Sequence, residues 1–265
     1  MTYVYPVVSR RAKGVSIGIN LNTNNACNWA CIYCQVENLT RGGPPDIDID
    51  LLVQELSAFL APDFLTRFLE TRVAPEMRRV ADIAFAGNGE PTTAREFKTV
   101  VERVITILHA QVHLPTIPIR LITNGSQLHR VSVQEGIKAL GQAGGEVWFK
   151  VDRATESGIA LVNQTQLSIE KISRNLKHCC ELAPTWIQTC WFPIDGHYPD
   201  SAETQAYIDF VAEHQQRIQG IHLYGIARPS QQAGAEHLGQ SSAEELKQFA
   251  AKIQAISNIP VQIAI

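Results

Sequence analysis

The chain has 265 residues, 45% of them apolar, with 23 Lys and Arg against 26 Asp and Glu, a formal net charge of −3. That length suits one large α/β domain or two small ones, and the apolar share excludes intrinsic disorder and the small disulfide scaffolds. A near-balanced charge gives no reason to expect a polyanionic partner, and no apolar run approaches the ~20 residues of a membrane-spanning helix.

In chain order, residues 1–14 read as an N-terminal extension. Met1 to Pro6 lack the cationic-then-apolar order of a secretion signal. Ser9-Arg10-Arg11 is followed by Asn20, Asn22, Asn24 and Asn25 rather than by the apolar tract of a twin-arginine signal. A cytoplasmic protein is expected. Strands are expected over 15–22, 81–87, 119–124, 146–152, 185–192 and 220–227. Helices are expected over 49–70, 96–111, 133–141, 166–182, 202–217 and 243–257. Ser132 with Glu135, Ser201 with Glu203, and Ser242 with Glu244 and Glu245 supply capping signals for three of them.

Six alternations of strand and helix imply βα units and a parallel sheet, here in a single domain whose segment 228–265 carries the last helix. Val15, Ile17, Ile19 and Leu21 alternate with Ser16, Gly18, Asn20 and Asn22. Ile83 and Phe85 alternate with Asp82, Ala84 and Ala86, and Val147, Phe149 and Val151 with Trp148, Lys150 and Asp152. In the last expected strand, Ile221 and Leu223 alternate with His222 and Tyr224. One face is therefore greasy and must meet the helices, while the other is small or polar. An open doubly wound sheet would read as near-continuous apolar runs, so the alternation disfavours it. The expectation is an α/β fold, a partial (β/α)6 barrel with room for a ligand.

Six cysteines in a chain without a recognisable signal point to reduced thiols with metal or catalytic use. Three of them form Cys27-x3-Cys31-x2-Cys34, directly after the first expected strand. Three thiolates at this spacing can each take one iron of a cubane and leave the fourth iron open. A ferredoxin would close it with a fourth nearby cysteine. A structural zinc site would want a His or Cys at short range, and the nearest His is His109. An open iron favours chemistry over structure.

The three cysteines, with Tyr33 just before the last, resemble the signature of the radical S-adenosylmethionine (SAM) superfamily. The resemblance implies that superfamily's partial (β/α)6 barrel and a [4Fe-4S] cluster held by Cys27, Cys31 and Cys34. It implies reductive cleavage of SAM to a 5′-deoxyadenosyl radical, which abstracts hydrogen from a substrate; the charge balance makes a small molecule or peptide the expected one. An electron donor such as flavodoxin or ferredoxin is implied too. Gly87-Asn88-Gly89-Glu90-Pro91 resembles the Gly-Gly-Glu-Pro motif that contacts the SAM amino group, with Asn88 between the glycines. Thr123 and Asn124 end the third expected strand, where related enzymes place SAM contacts. Lys150 and Asp152 end the fourth on its inner face, suiting either the SAM carboxylate or a pair with each other. Gln188 on the fifth, and Tyr224 to Arg228 on and after the sixth, are further lining candidates.

Ser9-Arg10-Arg11, the Gly-Asn-Gly-Glu-Pro-Thr form and Ala227-Arg228-Pro229 resemble the wyosine-tRNA-synthesis-like branch of that superfamily. The upstream cysteines of true wyosine synthases are absent, since Cys27 is the first cysteine. A tRNA modifier is the alternative enzyme class, and charge does not favour it. The densest basic stretches, residues 10–13 and 72–79, are expected at the barrel end away from the cluster. A non-enzymatic Fe–S electron-transfer or sensor protein is the alternative outside enzymes. Cys179 and Cys180 are expected at the closed end, Cys190 in phase with Gln188, and His197 in a loop on the functional rim.

Overall fold

Strand alternation resolves into one eight-stranded sheet. The computed structural model describes residues 1–9 and 14–264, so the basic run Arg10-Arg11-Ala12-Lys13 lies outside the described residues. The strands are β1 (Val4–Ser9), β2 (Gly14–Ile19), the two-residue β3 (Ala26–Cys27) and β4 (Thr40–Arg41), β5 (Val80–Phe85) and β6 (Ile119–Thr123). They continue as β7 (Glu146–Lys150), β8 (Thr185–Cys190), β9 (Gly220–Tyr224) and β10 (Val261–Ala264). The helices are α1 (Ile49–Leu60), α2 (Pro62–Arg72), α3 (Phe97–Ala110), α4 (Val131–Gln142), α5 (Glu156–Asn163), α6 (Ile169–Leu182), α7 (Ser201–His214) and α8 (Ala243–Gln254). The main sheet runs β1-β2-β5-β6-β7-β8-β9-β10 and curls into a partial barrel. Among the described residues, only β1 runs antiparallel to its neighbour in that sheet.

All six expected strands form, each stopping one to three residues early. The residues that leave the ladder turn towards the site. Asn20, just past β2, accepts from Asn22 N at 3.0 Å and from Asn88 N at 3.1 Å. Among the described residues, β1 within the expected extension, the short pair β3 and β4, β10 at the far edge, and α5 were not expected. The expected helix 49–70 is two helices, because Pro62 has no N–H to donate and opens α2 after the extended residue Ala61 (ψ 133°). α4 begins before Ser132, so that residue lies inside the helix, and Arg130 stands at the N-cap without a side-chain capping bond, its guanidinium donating instead to Thr92 O at 3.1 Å. Asp200, not Ser201, caps α7. Ser242 and Glu245 form the capping box of α8.

The greasy faces meet the helices as their alternation dictates: Val15, Ile17, Ile19, Ile83, Phe85, Val147, Phe149, Ile221 and Leu223 are all buried in one core. The inner face has two storeys. At the N-terminal ends of the strands, Asp82 accepts from Ser16 and from Arg120, and Arg120 Nε also bonds Glu146 at 2.8 Å. The guanidinium lies 5.0 Å over the Trp148 ring, and His222 stands between Trp148 and Trp186 at 4.3 and 4.6 Å. Together these groups plug the closed end. Cys179 is buried near that end, where Thr185 Oγ1 approaches its sulfur at 3.6 Å. Among the described residues no helix is long and apolar enough to cross a membrane.

Candidate active site

The upper storey opens under the loop that carries the three cysteines. A short ladder closes the base of that loop, pairing Ala26 with Thr40 and Cys27 with Arg41. A turn within it brings Cys34 N to Cys31 O at 2.9 Å. α5 ends against its middle: Val162 O accepts from Ile32 N at 2.9 Å and Asn163 O from Ala30 N at 3.4 Å. Carbonyls that a helix end leaves unpaired thus find donors in the cysteine loop.

On the opposite side the segment after β9 clamps the same loop. Ser230 Oγ donates to Ile32 O at 2.7 Å and to Cys34 O at 3.1 Å, Gln231 N donates to Cys34 O at 2.9 Å, and Gln232 Nε2 donates to Val36 O at 2.8 Å. Asn28 is tied to the end of β6, accepting from Asn124 Nδ2 at 2.9 Å and donating to Ser126 Oγ at 2.7 Å. Ile32 and Tyr33 pack on Val162, Cys190, Phe192 and Ile226.

Below the loop lies a cavity of about 410 Å³. Its wall brings together Cys27, Cys31, Cys34, Gly87, Asn88, Gly89, Glu90, Asn124, Lys150 and Gln188. Trp29, Ile122 and Tyr224 complete its inner surface, and Gln35, Val36 and Leu39 add further wall. Thr123 and Asp152 stand one layer behind it. A wider surface groove of about 750 Å³, lined by Ser173, Lys177, Phe210 and Glu213 among others, contains none of these groups.

Two buried carboxylates, Glu90 in the wall and Asp152 behind it, organise the cavity. Glu90, 3% exposed, accepts from Thr92 N at 3.1 Å, Thr92 Oγ1 at 2.5 Å, Thr123 Oγ1 at 2.6 Å and Asn124 N at 2.6 Å. Its carboxylate therefore binds the Gly-Asn-Gly loop to the end of β6. Asp152 accepts from Tyr33 Oη at 2.6 Å, Asn163 Nδ2 at 2.7 Å and Cys190 N at 2.8 Å. None of these bonds goes to Lys150, whose ammonium lies 5.0 Å over the Tyr33 ring and 3.4 Å from Tyr224 Oη. The glycines serve packing within the protein: a Cβ on Gly87 would meet Asn20 Oδ1 at 2.3 Å, and one on Gly89 would meet Ala26 O at 2.2 Å. Asn163, Ser230 and Gln232 carry no motif, so sequence reasoning missed them.

Burial pushes the Cys27 thiol up to about 11 and the Cys31 thiol up to about 12, with Lys150 pulling Cys31 back in part. Burial also works to discharge Lys150, but the Asp152 carboxylate and then Tyr224, Cys31 and Cys190 outweigh it and the pKa rises. Burial raises the Glu90 carboxyl, and its donors offset part of the rise.

Among the described residues no three His, Cys, Asp or Glu side chains converge tightly enough to share one metal ion. A cubane asks for something different, because each thiolate takes a separate iron. Three free thiols on one cavity wall fit such a group, and iron binding would draw off the protons that burial holds on Cys27 and Cys31. The positive irons compensate the thiolates' charge, and the soft sulfur donors suit iron–sulfur bonding.

No family model matches the chain. A UPF0026 protein of Methanocaldococcus jannaschii is 29% identical over 157 residues, covering 59% of this chain and 42% of that protein. The GTPase Obg of Brachyspira hyodysenteriae is 29% identical over 135 residues, covering 50% of this chain and 17% of that protein. The matched regions thus span less than half the length of either curated relative. Among solved structures, a radical SAM methyltransferase from Sphaerobacter thermophilus superposes with a TM-score of 0.66 at 14% identity, covering 98% of this chain and 68% of that one. The FeFe-hydrogenase maturase HydG from Carboxydothermus hydrogenoformans superposes with a TM-score of 0.56 at 10% identity, covering 93% and 52%. At such identities the likeness is one of fold: the chain has the partial barrel that these two enzymes share.

Proposed function

We propose that the protein is a radical SAM enzyme, with a [4Fe-4S] cluster on Cys27, Cys31 and Cys34 and SAM in the cavity beneath them. One observation carries this reading. The three thiols line the same cavity as the Gly87-Asn88-Gly89-Glu90 loop, Asn124, Lys150 and Gln188, at the open end of a fold shared with such enzymes.

When bound, the cluster and SAM supply reductive cleavage of the C5′–S bond, giving a 5′-deoxyadenosyl radical that takes hydrogen from the substrate. The chain's own residues bind, orient and exclude water. The charged Lys150 complements a carboxylate, and Gln188, 6% exposed, offers an amide that can donate or accept. Asn88, Gly89 and Asn124 present the remaining polar wall. Thr123 acts through Glu90, and Asp152 through Tyr33 and Asn163. The substrate is a small molecule or peptide, and the electron comes from a flavodoxin or ferredoxin.

The test is anaerobic reconstitution followed by incubation with SAM and dithionite. Four irons per chain and 5′-deoxyadenosine are expected. Cys27→Ala, Cys31→Ala and Cys34→Ala should each lose both. A cluster that forms without any SAM cleavage would instead mark an electron-transfer or sensor protein.

A further inference from the structure

The amide of Asn163 reaches the sulfur of Cys31. Its Nδ2 donates to Cys31 Sγ at 3.4 Å and to Asp152 Oδ2 at 2.7 Å. Asn163 is 2% exposed and Asp152 1%, so no water competes for these groups. The orientation of the amide follows from chemistry. An ionised carboxylate only accepts hydrogen bonds, so the end of Asn163 that faces Asp152 must be its NH₂ group. One N–H then points at the carboxylate and the other is left for sulfur. Asp152 is itself fixed, since Tyr33 Oη donates to the same oxygen at 2.6 Å and Cys190 N to the other at 2.8 Å. The main chain holds the arrangement as well, because Val162 O and Asn163 O bind the N–H groups of Ile32 and Ala30, the two neighbours of Cys31. Cys27 is treated differently, its sulfur facing Asn28 Oδ1 at 3.9 Å.

We propose that Asn163 is a positioning residue that sets the reduction potential of the cluster, donating an N–H to the Cys31 sulfur while Asp152 holds the amide in place. The inference rests on the radical SAM reading above. One electron from an external low-potential donor adds one negative charge to the iron–sulfur unit, and the ligating sulfurs carry part of it. A fixed N–H aimed at one of them stabilises the more negative state, so its presence raises the potential. In a dry wall, water does not replace that N–H once it is removed.

The experiment is a redox titration of the reconstituted holoprotein without SAM, monitored by electron paramagnetic resonance, with iron content measured in parallel. Asn163→Leu is near-isosteric and has no donor. Asn163→Ser is smaller, and its hydroxyl is too short to bridge both partners. Asn163→Gln keeps an amide. The expected result is about four irons in each, midpoints more negative than wild type for Leu and Ser, and a midpoint closer to wild type for Gln. An unchanged midpoint in the Leu or Ser protein that holds four irons overturns the proposal. So does loss of iron from every Asn163 variant, because the residue would then serve assembly and not tuning. Failure of the functional reading is distinct: wild type itself would lack the cluster or fail to cleave SAM.

Discussion

Four donors converge on the Glu90 carboxylate, two from Thr92 and one each from Thr123 and Asn124, and no solvent reaches it to take their place. Glu90→Gln would put amide hydrogens among groups that already donate, and the buried site cannot relax by hydration. The expected cost is about 2–4 kcal/mol of unfolding free energy, read from urea denaturation of the metal-free protein. A midpoint equal to wild type would sink this account. Glu90 was legible as part of a motif, but its four bonds to Thr92, Thr123 and Asn124 were not. The cysteines were legible because they are contiguous and chemically distinctive. Asn163 was not: it acts on Cys31 from 132 positions away, and nothing in the sequence near it hints at a sulfur.

Between residues and the whole, the strands announced themselves by alternation, and most helices by spacing and caps. α5 was hidden because it has eight residues, too few to repeat an amphipathic pattern, although Thr155 caps it through Gly158 N at 2.9 Å. The loop after β8 and the turn at Ala235–His237 are joined across the rim. Asp195 N donates to His237 O at 2.7 Å, and the Asp195 carboxylate meets His237 Nδ1 at 2.6 Å. The hydrogen bond and charge of Asp195 raise the His237 pKa above that of an ordinary histidine. Because the folded-state value is the higher one, whatever the pair contributes is complete below the unfolded pKa and is lost as pH rises through the folded one. An NMR titration should find His237 protonating at higher pH in wild type than in Asp195→Asn. Coincident titration curves would remove the pair from consideration. Ile194 and Leu238 pack on the same small core of Val162, Cys190, Phe192 and Ile226 that Ile32 and Tyr33 of the cysteine loop pack on, so this rim strap bears on the site indirectly.

For the molecule as a whole, the polar inner face read from sequence predicted room for a ligand, and only the upper storey has it. The lower storey is filled by the Asp82, Arg120, Glu146, Trp148 and His222 assembly, which single-strand patterns could not reveal because each strand contributes only one or two of its members. β1 was missed for a related reason. Tyr5 fills the space above Gly18, where a Cβ would meet the ring at 2.2 Å, so the first strand belongs to the barrel through a contact between strands. Arg120→Ala would leave Asp82, 2% exposed, without its cation. The expected loss is about 3–5 kcal/mol in urea unfolding, as for any buried pair stripped of one partner. SAM affinity by calorimetry on the reconstituted Arg120→Ala protein should stay close to wild type, since the cavity lies a storey above. A loss below about 1 kcal/mol would show that solvent already carries the Asp82 charge.

The clamp of Ser230 and Gln232 on the cysteine loop also fixes an order of events during synthesis. Ser230 meets Ile32 across 198 positions, and Gln232 meets Cys34 across the same distance. At ribosomal speeds of ~5–20 residues per second, that gap is about 10–40 s during which the three thiols have left the tunnel and their clamp does not yet exist. The β1–β2 pair and the β3–β4 ladder can form at once, and β6 and α5 tie the loop on one side, but its other side has no clamp until β9 and the segment after it are made. Under the proposed function, iron and sulfide arriving before that point would meet a loop without its clamp, and that interval is when Cys27, Cys31 and Cys34 are most open to oxidation.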